Sequence, residues 1–521
     1  MLKLAVPTGD LRAAVARVLT AAGLRCDEYA AGSRALRLRL SERADVALRV
    51  FREKDIPIQV ALGNYDLGIC SAAWVAELQA RYPQDDVMLL RPLDFGHHHL
   101  VVAAAPETLR RRGPVRGWAG ARGVRIVSEF PGLAERFARR MRLARYVVLP
   151  VWGAAEAYPP EDADLAVLAV QDEAEVVAAG LEPVYTIMDG SAWLIGSRRS
   201  LAARDLSPVL GPLLRLPGPE GSHRAPAFPR AAWAPGEPSP RPATTPLPHV
   251  AAGAGEEVGV RASALVRLAL PDGHAQRHTY AALRDAGLVF EGYGETTCVR
   301  RPVSGIEGLE VKVIRPQDMP QQVALGHFDL AITGRDWLLD HRYQFPSSPV
   351  VEVLDLGRSR YTIAAAVSED VPADTLAGAL AYWRAQGRTV IRVASEYPNI
   401  ADHFARWRHL GRYRIVPVNG ASEAFVPEDS EILIEGSETG ASFRANRLKV
   451  IERVFESTNC VIARAGVTTG PRQALIERLL EQLRSVALTP GKAGADSGPP
   501  RQGRGTGRVL PGPAGPGLSR R

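Results

Sequence analysis

Near the C-terminal end of the chain a short apolar run, Ile432–Ile434, leads into Glu435-Gly436-Ser437-Glu438-Thr439-Gly440-Ala441-Ser442. Backbone N–H groups in a glycine-bearing bend, together with the hydroxyls of Ser437, Thr439 and Ser442, form a natural site for a phosphate. Glu435, at the strand end, is placed to accept hydrogen bonds from sugar hydroxyls. The same residues would also make an ordinary capped strand-to-helix turn, with a helix opening near Ser442. Other features carry less chemistry. His97-His98-His99 offers metal-binding side chains, but neighbours on a strand point to opposite faces, so at most two could converge. Cys26, Cys70, Cys298 and Cys460 contain no C-x-x-C pair and read as reduced thiols. Glu129 and Glu396 precede aromatic-Pro pairs and suit a helix entry as well as catalysis. Trp74 and Trp337 read as core.

The elements around the bend recur. LAVPTGDL (Leu4–Leu11) matches LALPDGHA (Leu268–Ala275), and FREKDIPIQVALGNYDLGI (Phe51–Ile69) matches IRPQDMPQQVALGHFDLAI (Ile314–Ile332). RIVSEFPGLAERFAR (Arg125–Arg139) matches RVASEYPNIADHFAR (Arg392–Arg406), with the offset holding near 261–267 throughout. Two long repeats in one register mean two copies of a complete folding unit. Within a copy, apolar strands (Leu2–Val6, Asp66–Ile69, Leu100–Ala104, Val124–Val127, Tyr146–Pro150) alternate with helical patterns (Leu11–Ala22, Ile56–Leu62, Gly132–Arg142). This alternation predicts a parallel-rich α/β sheet covered on both faces, with ligands beyond the carboxyl ends of the strands. A last helix is expected over Arg472–Leu488.

Between the copies lies a Pro-rich stretch, and twelve of the forty prolines fall in residues 206–258. Such a stretch builds neither helix nor ladder. The expected division is 1–205, a 206–262 linker, 263–488, and a disordered tail over 489–521. That tail holds six basic residues against Asp496, so +5 of the net +7 sits there and the remainder of the chain carries about +2. The charge therefore gives no reason to expect nucleic-acid binding. No apolar run approaches the ~18 residues of a membrane span. Pro7, Asp10 and Arg12 interrupt the N-terminus before a signal-peptide core could form, so the expected location is the cytoplasm.

The order of these motifs resembles the catalytic part of the ATP phosphoribosyltransferase family. The matching segments are the R-x-x-D-I-P segment, the D-L-G/A-I strand, the L-D-L-G hinge, S-E-Y-P-N, N-G-A-S-E (Asn419–Glu423) and E-T-G-A-S-F-R-A-N-R-L. The resemblance covers most of Val266–Leu488 and, more weakly, Leu2–Arg198. It implies two tandem copies of a two-lobed fold like type II periplasmic binding proteins, the middle lobe of the second copy spanning about Tyr361–Leu448. It also implies an enzyme, a pentosyltransferase opening histidine biosynthesis, in which adenine N1 of ATP attacks the anomeric carbon of phosphoribosyl pyrophosphate and releases pyrophosphate with Mg²⁺. The implied phosphoribosyl contacts are Glu423, Glu435, Ser437, Glu438, Thr439, Gly440, Ala441 and Ser442. The implied nucleotide contacts are Gly273, Arg315, Asp318, Thr333 and Gly334.

Adenine N1 is a weak nucleophile, so bond breaking should lead. The protein must then position the reactants and neutralise the leaving group. Arg315 and Glu435 are the expected catalytic residues, Arg315 sharing its role with its counterpart Arg52. Arg358 and Arg360 are second choices. At the matching turn the first copy reads LAVQDEAEVVAAGL, with Asp172 opposite Thr439 and Glu173 opposite Gly440. Anionic side chains there would repel a phosphate, so one cradle is expected to work. In the other lobe the first copy has Ser33-Arg34 where the second has Thr297-Cys298. Neither copy carries the family's usual basic residues in its first turn (Pro7-Thr8-Gly9-Asp10 and Pro271-Asp272-Gly273-His274). The family's short form works with a histidyl-tRNA-synthetase-like regulatory subunit, a partner expected here alongside a homo-oligomer or an internal pseudo-dimer. The alternatives are a non-catalytic regulatory or ligand-binding protein on the same fold, and transfer to another base.

Overall fold

The computed structural model describes residues 1–216, 265–466 and 470–487, apart from positions 31, 42, 44 and 83–85. Each copy has two lobes, each built on one main sheet. The first lobe of the first copy orders its strands Arg37–Arg39, Val46–Phe51, Leu2–Pro7, Leu67–Ser71, Ala192–Ser197 and Val87–Pro92. The second lobe orders Glu182–Gly190, His98–Ala104, Leu165–Val170, Val124–Ser128 and Tyr146–Pro150. The second copy repeats the plan. Its first lobe runs Leu309–Ile314, Val266–Pro271, Leu330–Gly334, Asn459–Arg464, Val350–Asp355, and its second Tyr413–Pro417, Ile391–Ser395, Ile432–Ser437, Tyr361–Ser368, Leu448–Ser457.

Central strands such as Val46–Phe51 are buried along their whole length, as uninterrupted apolar runs covered on both faces require. The sheets are mixed rather than parallel-rich. Leu2–Pro7 is parallel to both of its neighbours, but Ala192–Ser197 is antiparallel to both of its own. The chain leaves for the second lobe and re-enters the first from the opposite end, which reverses the returning strand.

Helices hold the lobes together within a copy. Glu77, on the helix Ala72–Arg81, accepts the N–H groups of Gly132 and Leu133, both at 2.9 Å. Asp340 does the same for Asn399 and Ile400, both at 2.9 Å. Each carboxylate caps a helix that opens with proline, Pro131–Arg140 and Pro398–Trp407. Asp340→Ala is expected to lower stability by about 1–2 kcal/mol in urea unfolding, the usual weight of such a cap.

The copies dock reciprocally, the first lobe of each on the second lobe of the other. Tyr65 donates to Asp429 at 2.8 Å, Phe51 meets Phe425 edge-on at 4.8 Å, and Arg49 pairs with Glu428. On the other side Lys312, fully buried, reaches Glu161 at 2.9 Å and Asp162 at 3.0 Å. One hydrophobic cluster unites Leu4, Val50 and Ile56 with Phe425, Leu433 and Phe443, and a second unites Val127, Val151 and Ala166 with Ile314, Met319 and Val323. The two copies therefore share core.

The expected linker begins too early. Ser207–Arg215 is a helix, with Leu206, Val209 and Leu213 buried in the first copy. Pro208 occupies its first turn, where the missing N–H costs nothing, although Pro212 lies inside it. Residues 217–264 and the basic tail lie outside the described residues. Among those described, no helix is long and apolar enough to cross a membrane.

Candidate active site in the cleft of the second copy

The strand Ile432–Ser437 is buried through Ile434 and opens at Glu435, half-buried at the strand's carboxyl end. Gly436 lies under the Tyr361 ring, where a Cβ would come within 2.8 Å of Cε2. The Ser437 hydroxyl accepts the N–H of Gly440 at 2.9 Å, and Thr439 Oγ1 accepts that of Ala441 at 3.4 Å. Gly440 has φ +69°, the left-handed conformation that closes the bend, and the helix Ala441–Ala445 follows. The first-turn N–H groups of Ser442 and Phe443 have no carbonyl within that helix. Glu438 faces the other lobe across the mouth of the cleft, 3.6 Å from His274 and 3.5 Å from Arg277.

Three carboxyls meet behind the bend. Glu435 accepts the Ser422 hydroxyl at 2.8 Å. Burial, with Glu396 and Glu423 nearby, pushes its carboxyl well above the usual range. Glu396 is pushed up to about 7 by burial, against the pull of Arg52 and Lys54. Ser395 beside it serves the fold, accepting the N–H of Tyr397 at 2.9 Å and donating to Ile434 at 2.7 Å.

The arginine in this cleft comes from the other copy. A Cβ on Gly420 would meet Glu396 Oε1 at 2.8 Å and Arg52 Nε at 2.9 Å, so all three converge. Arg315, expected beside Glu435, lies instead in the first copy's cleft. It approaches Gly153, where a Cβ would stand 2.6 Å from its Nε, and pairs with Asp272 at 3.1 Å. The two motifs have exchanged clefts through the docking of the copies.

The expected nucleotide residues divide. Asp318 accepts the Trp152 N–H at 3.0 Å and seals the contact between copies, as Asp55 does with Asn419 at 2.9 Å. Thr333 is buried and donates to Pro316 at 3.0 Å. Gly273 and Gly334 stand nearer the cleft. Gly273 precedes His274 in the first turn, and a Cβ on Gly334 would meet Asp336 at 2.1 Å and the Tyr361 hydroxyl at 3.4 Å. Arg358 is held by Asp285 at 2.7 Å and Arg360 by Glu456 at 3.0 Å. Tyr361 and Asp336 were not signalled by the sequence, because each acts through a neighbour brought up by the fold; Ser422 belongs to the N-G-A-S-E segment, but its bond to Glu435 was not signalled. Trp337 is not simple core; it is half-buried and packs on Tyr397 at 4.4 Å. Trp74 is likewise half-buried and stacks on Phe130 at 4.2 Å. No group of three or more His, Cys, Asp or Glu side chains that could hold a metal, the histidine triplet included, is found among the described residues.

In the first copy's cleft Leu168 stands at the position of Glu435 and Val170 at that of Ser437. Asp172 is extended at φ −150°, and its carboxylate caps its own helix, Glu173–Ala178. Arg300 of the second copy crosses into that cleft to Glu156 at 2.6 Å and also holds Asp272 at 2.7 Å.

Three carboxyls at the contact between copies have raised values, chiefly through loss of solvent: Asp318 to about 8, Glu396 to about 7 and Asp55 to about 6. Between the ordinary carboxyl range and these values the folded chain holds protons that the unfolded chain has lost. Their contribution to stability therefore falls as pH rises from about 4 to about 8. In urea unfolding at a series of pH values, Asp318→Asn is expected to flatten that decline by up to about 1.4 kcal/mol per pH unit, the weight of one proton. An unchanged slope would contradict it.

A family model described as HisG, ATP phosphoribosyltransferase, matches residues 52–213 and again 315–485. An ATP phosphoribosyltransferase of Sorangium cellulosum is 32% identical over 230 residues, covering 43% of this chain and 97% of the relative. One of Chlorobaculum parvum is 28% identical over 245 residues, covering 46% of this chain and 77% of the relative. Among solved structures, an ATP phosphoribosyl transferase (HisG:HisZ) complex from Thermotoga maritima overlays 43% of this chain and 98% of its own, at 18% identity and a TM-score of 0.34. The family match falls twice, once in each copy, and takes in the bend, the carboxyls and the arginine motif: the chain belongs to the ATP phosphoribosyltransferase family.

Proposed function

We propose that the cleft of the second copy carries out the family's reaction, the transfer of phosphoribose from phosphoribosyl pyrophosphate to N1 of ATP that opens histidine biosynthesis. The observation that carries this reading is the asymmetry of the clefts. Only the second copy has a hydroxyl- and glycine-lined bend next to a carboxyl cluster, and the first copy's Arg52 completes it.

In this reading Ser437–Ser442 receives the 5-phosphate, on backbone N–H groups and hydroxyls. Glu435 and Glu423 orient the ribose hydroxyls, and their oxygens attend the sugar as it becomes cationic on departure of the leaving group. Arg52 draws the pyrophosphate away from the ring. ATP enters from the side of Gly273 and Gly334. Mg²⁺ ordinarily takes one or two carboxylates together with substrate phosphates and water. Glu423 and Glu435 fit that donor set, and the ion would neutralise the departing pyrophosphate. The internal pairing of copies takes the place of a homodimer, and a histidyl-tRNA-synthetase-like regulatory subunit remains the expected partner, in the cytoplasm. The first copy's cleft, with Leu168 and Asp172, is read as non-catalytic.

The experiment is pyrophosphate release from the intact chain. It should require both ATP and phosphoribosyl pyrophosphate. Release with another base in place of ATP, or none with both substrates and Mg²⁺ present, overturns the reading.

A further inference from the structure

Asp336 is a fully buried carboxyl with no place in the reaction itself. It stands in the first turn of the helix Arg335–Gln344, in the first lobe of the second copy. Both of its oxygens are met by hydroxyls of the second lobe, Tyr361 donating to Oδ2 at 2.8 Å and Ser457 to Oδ1 at 2.8 Å. The Asp336 N–H in turn donates to the Ser457 hydroxyl at 3.1 Å. Tyr361 opens the strand Tyr361–Ser368, Ser457 closes Leu448–Ser457, and the two are paired in register. They mark the two points at which the chain crosses between the lobes. The Tyr361 ring covers Gly436, the residue before Ser437, so closely that a Cβ there would stand 2.9 Å from Cδ2 as well. Burial, with Asp336 close by, holds the Tyr361 phenol well above its usual range, so it remains a donor.

We infer that Asp336 is a positioning residue for the phosphate bend and acts through Tyr361. This rests on the reading of Ser437–Ser442 as the 5-phosphate site. Asp336 fixes the Tyr361 hydroxyl and so the height of the ring, and the ring sets where Gly436 and Ser437 stand relative to the first lobe. Ser457 fixes the second crossing against the same carboxyl. The first copy supplies a comparison within the chain. Its strand registers put Ala73 at the position of Asp336, His98 at that of Tyr361, Gly190 at that of Ser457 and Ala169 at that of Gly436. All four differ together in the copy whose bend lacks the hydroxyls, although Trp74, next to Ala73, still matches Trp337. A buried carboxyl is costly unless its oxygens are satisfied. The first copy joins its lobes with an alanine there, so holding the fold together does not require one. What the second copy gains is a bend set in place before the phosphate arrives, with less ordering left for the binding step.

The test is calorimetric titration of the intact chain, of Asp336→Asn, of Tyr361→Phe and of the double variant, with ribose 5-phosphate and separately with inorganic pyrophosphate. Ribose 5-phosphate probes the bend, and pyrophosphate probes the Arg52 side of the cleft. Each single variant should weaken ribose 5-phosphate about tenfold or more, the usual weight of a hydrogen bond to a charged group. The double variant should lose little beyond either single one, because the same contact is removed twice. Pyrophosphate affinity should stay within about twofold, as for a site that shares no partner with the change. Unchanged ribose 5-phosphate affinity overturns the proposal, and so does an equal loss of both probes, which is what general damage to the fold produces. Should Asp336→Asn not fold, Tyr361→Phe, which keeps the ring on Gly436, decides by the same two readings. A native chain that binds no ribose 5-phosphate up to about 10 mM, beyond the weak end of ligand affinity, overturns the reading of the bend itself and this proposal with it.

Discussion

Arg52→Ala is expected to cut kcat/KM for pyrophosphate release by about two to three orders of magnitude, the usual loss when a preorganised charge facing the transition state is removed. Arg315→Ala, the same change in the same motif, should cost less than about tenfold. Sequence alone would rank the two the other way, because Arg315 belongs to the copy that carries the bend. The docking decides otherwise. Arg52 converges with Glu396 at Gly420, whereas Arg315 lies against Gly153 in the cleft whose strand ends in Leu168. Arg315 does hold Asp272 at 3.1 Å beside the second copy's first turn, so its loss should be felt there as a modest rise in KM. Arg52→Lys separates charge from shape. A compact point charge on a flexible stem restores little if the flat, forked guanidinium is what grips the pyrophosphate. Equal losses for Arg52→Ala and Arg315→Ala would mean that both clefts work or that neither arginine faces the reaction.

That exchange marks what could be read from residues alone. Strand and helix positions within a copy were legible because an all-apolar run or a 3.6-residue period is a local property; Leu2–Pro7 and Pro131–Arg140 fall where expected. The bend after Ile432–Ser437 was legible as a strand-to-helix turn, because a glycine free to adopt positive φ flanked by hydroxyls is what closes such a turn. The direction of Ala192–Ser197 was not, since an apolar run reads alike either way along a sheet. Ser207–Arg215 was hidden by its prolines, although Leu206, Val209 and Leu213 already had helical spacing. Which cleft each arginine enters was beyond reach, because the motif is the same in both copies and only the packing of one copy on the other assigns it.

Rewriting the second copy's bend to match the first, Thr439→Asp with Gly440→Glu, is expected to raise KM for phosphoribosyl pyrophosphate about 100-fold or more and bring turnover to background. Two effects combine. Gly440 has φ +69°, and a side-chain-bearing residue there costs about 1–2 kcal/mol in backbone strain. Two carboxylates against a phosphate add repulsion of similar or larger size in a half-enclosed site. Gly440→Ala measures the first effect by itself. Its Cβ would stand 2.9 Å from the Arg444 guanidinium, the end of a flexible exposed side chain that can move away, so the variant should fold and keep part of its activity. The reverse change in the first copy, Asp172→Thr with Glu173→Gly, should create no second site. Leu168 still occupies the place of the sugar-facing carboxyl there, and Arg300 stays committed to Glu156 at 2.6 Å. A second phosphoribosyl pyrophosphate bound by that variant would show that the bend suffices without the carboxyl. Retained turnover in the first variant would show that the sugar's phosphate is held elsewhere.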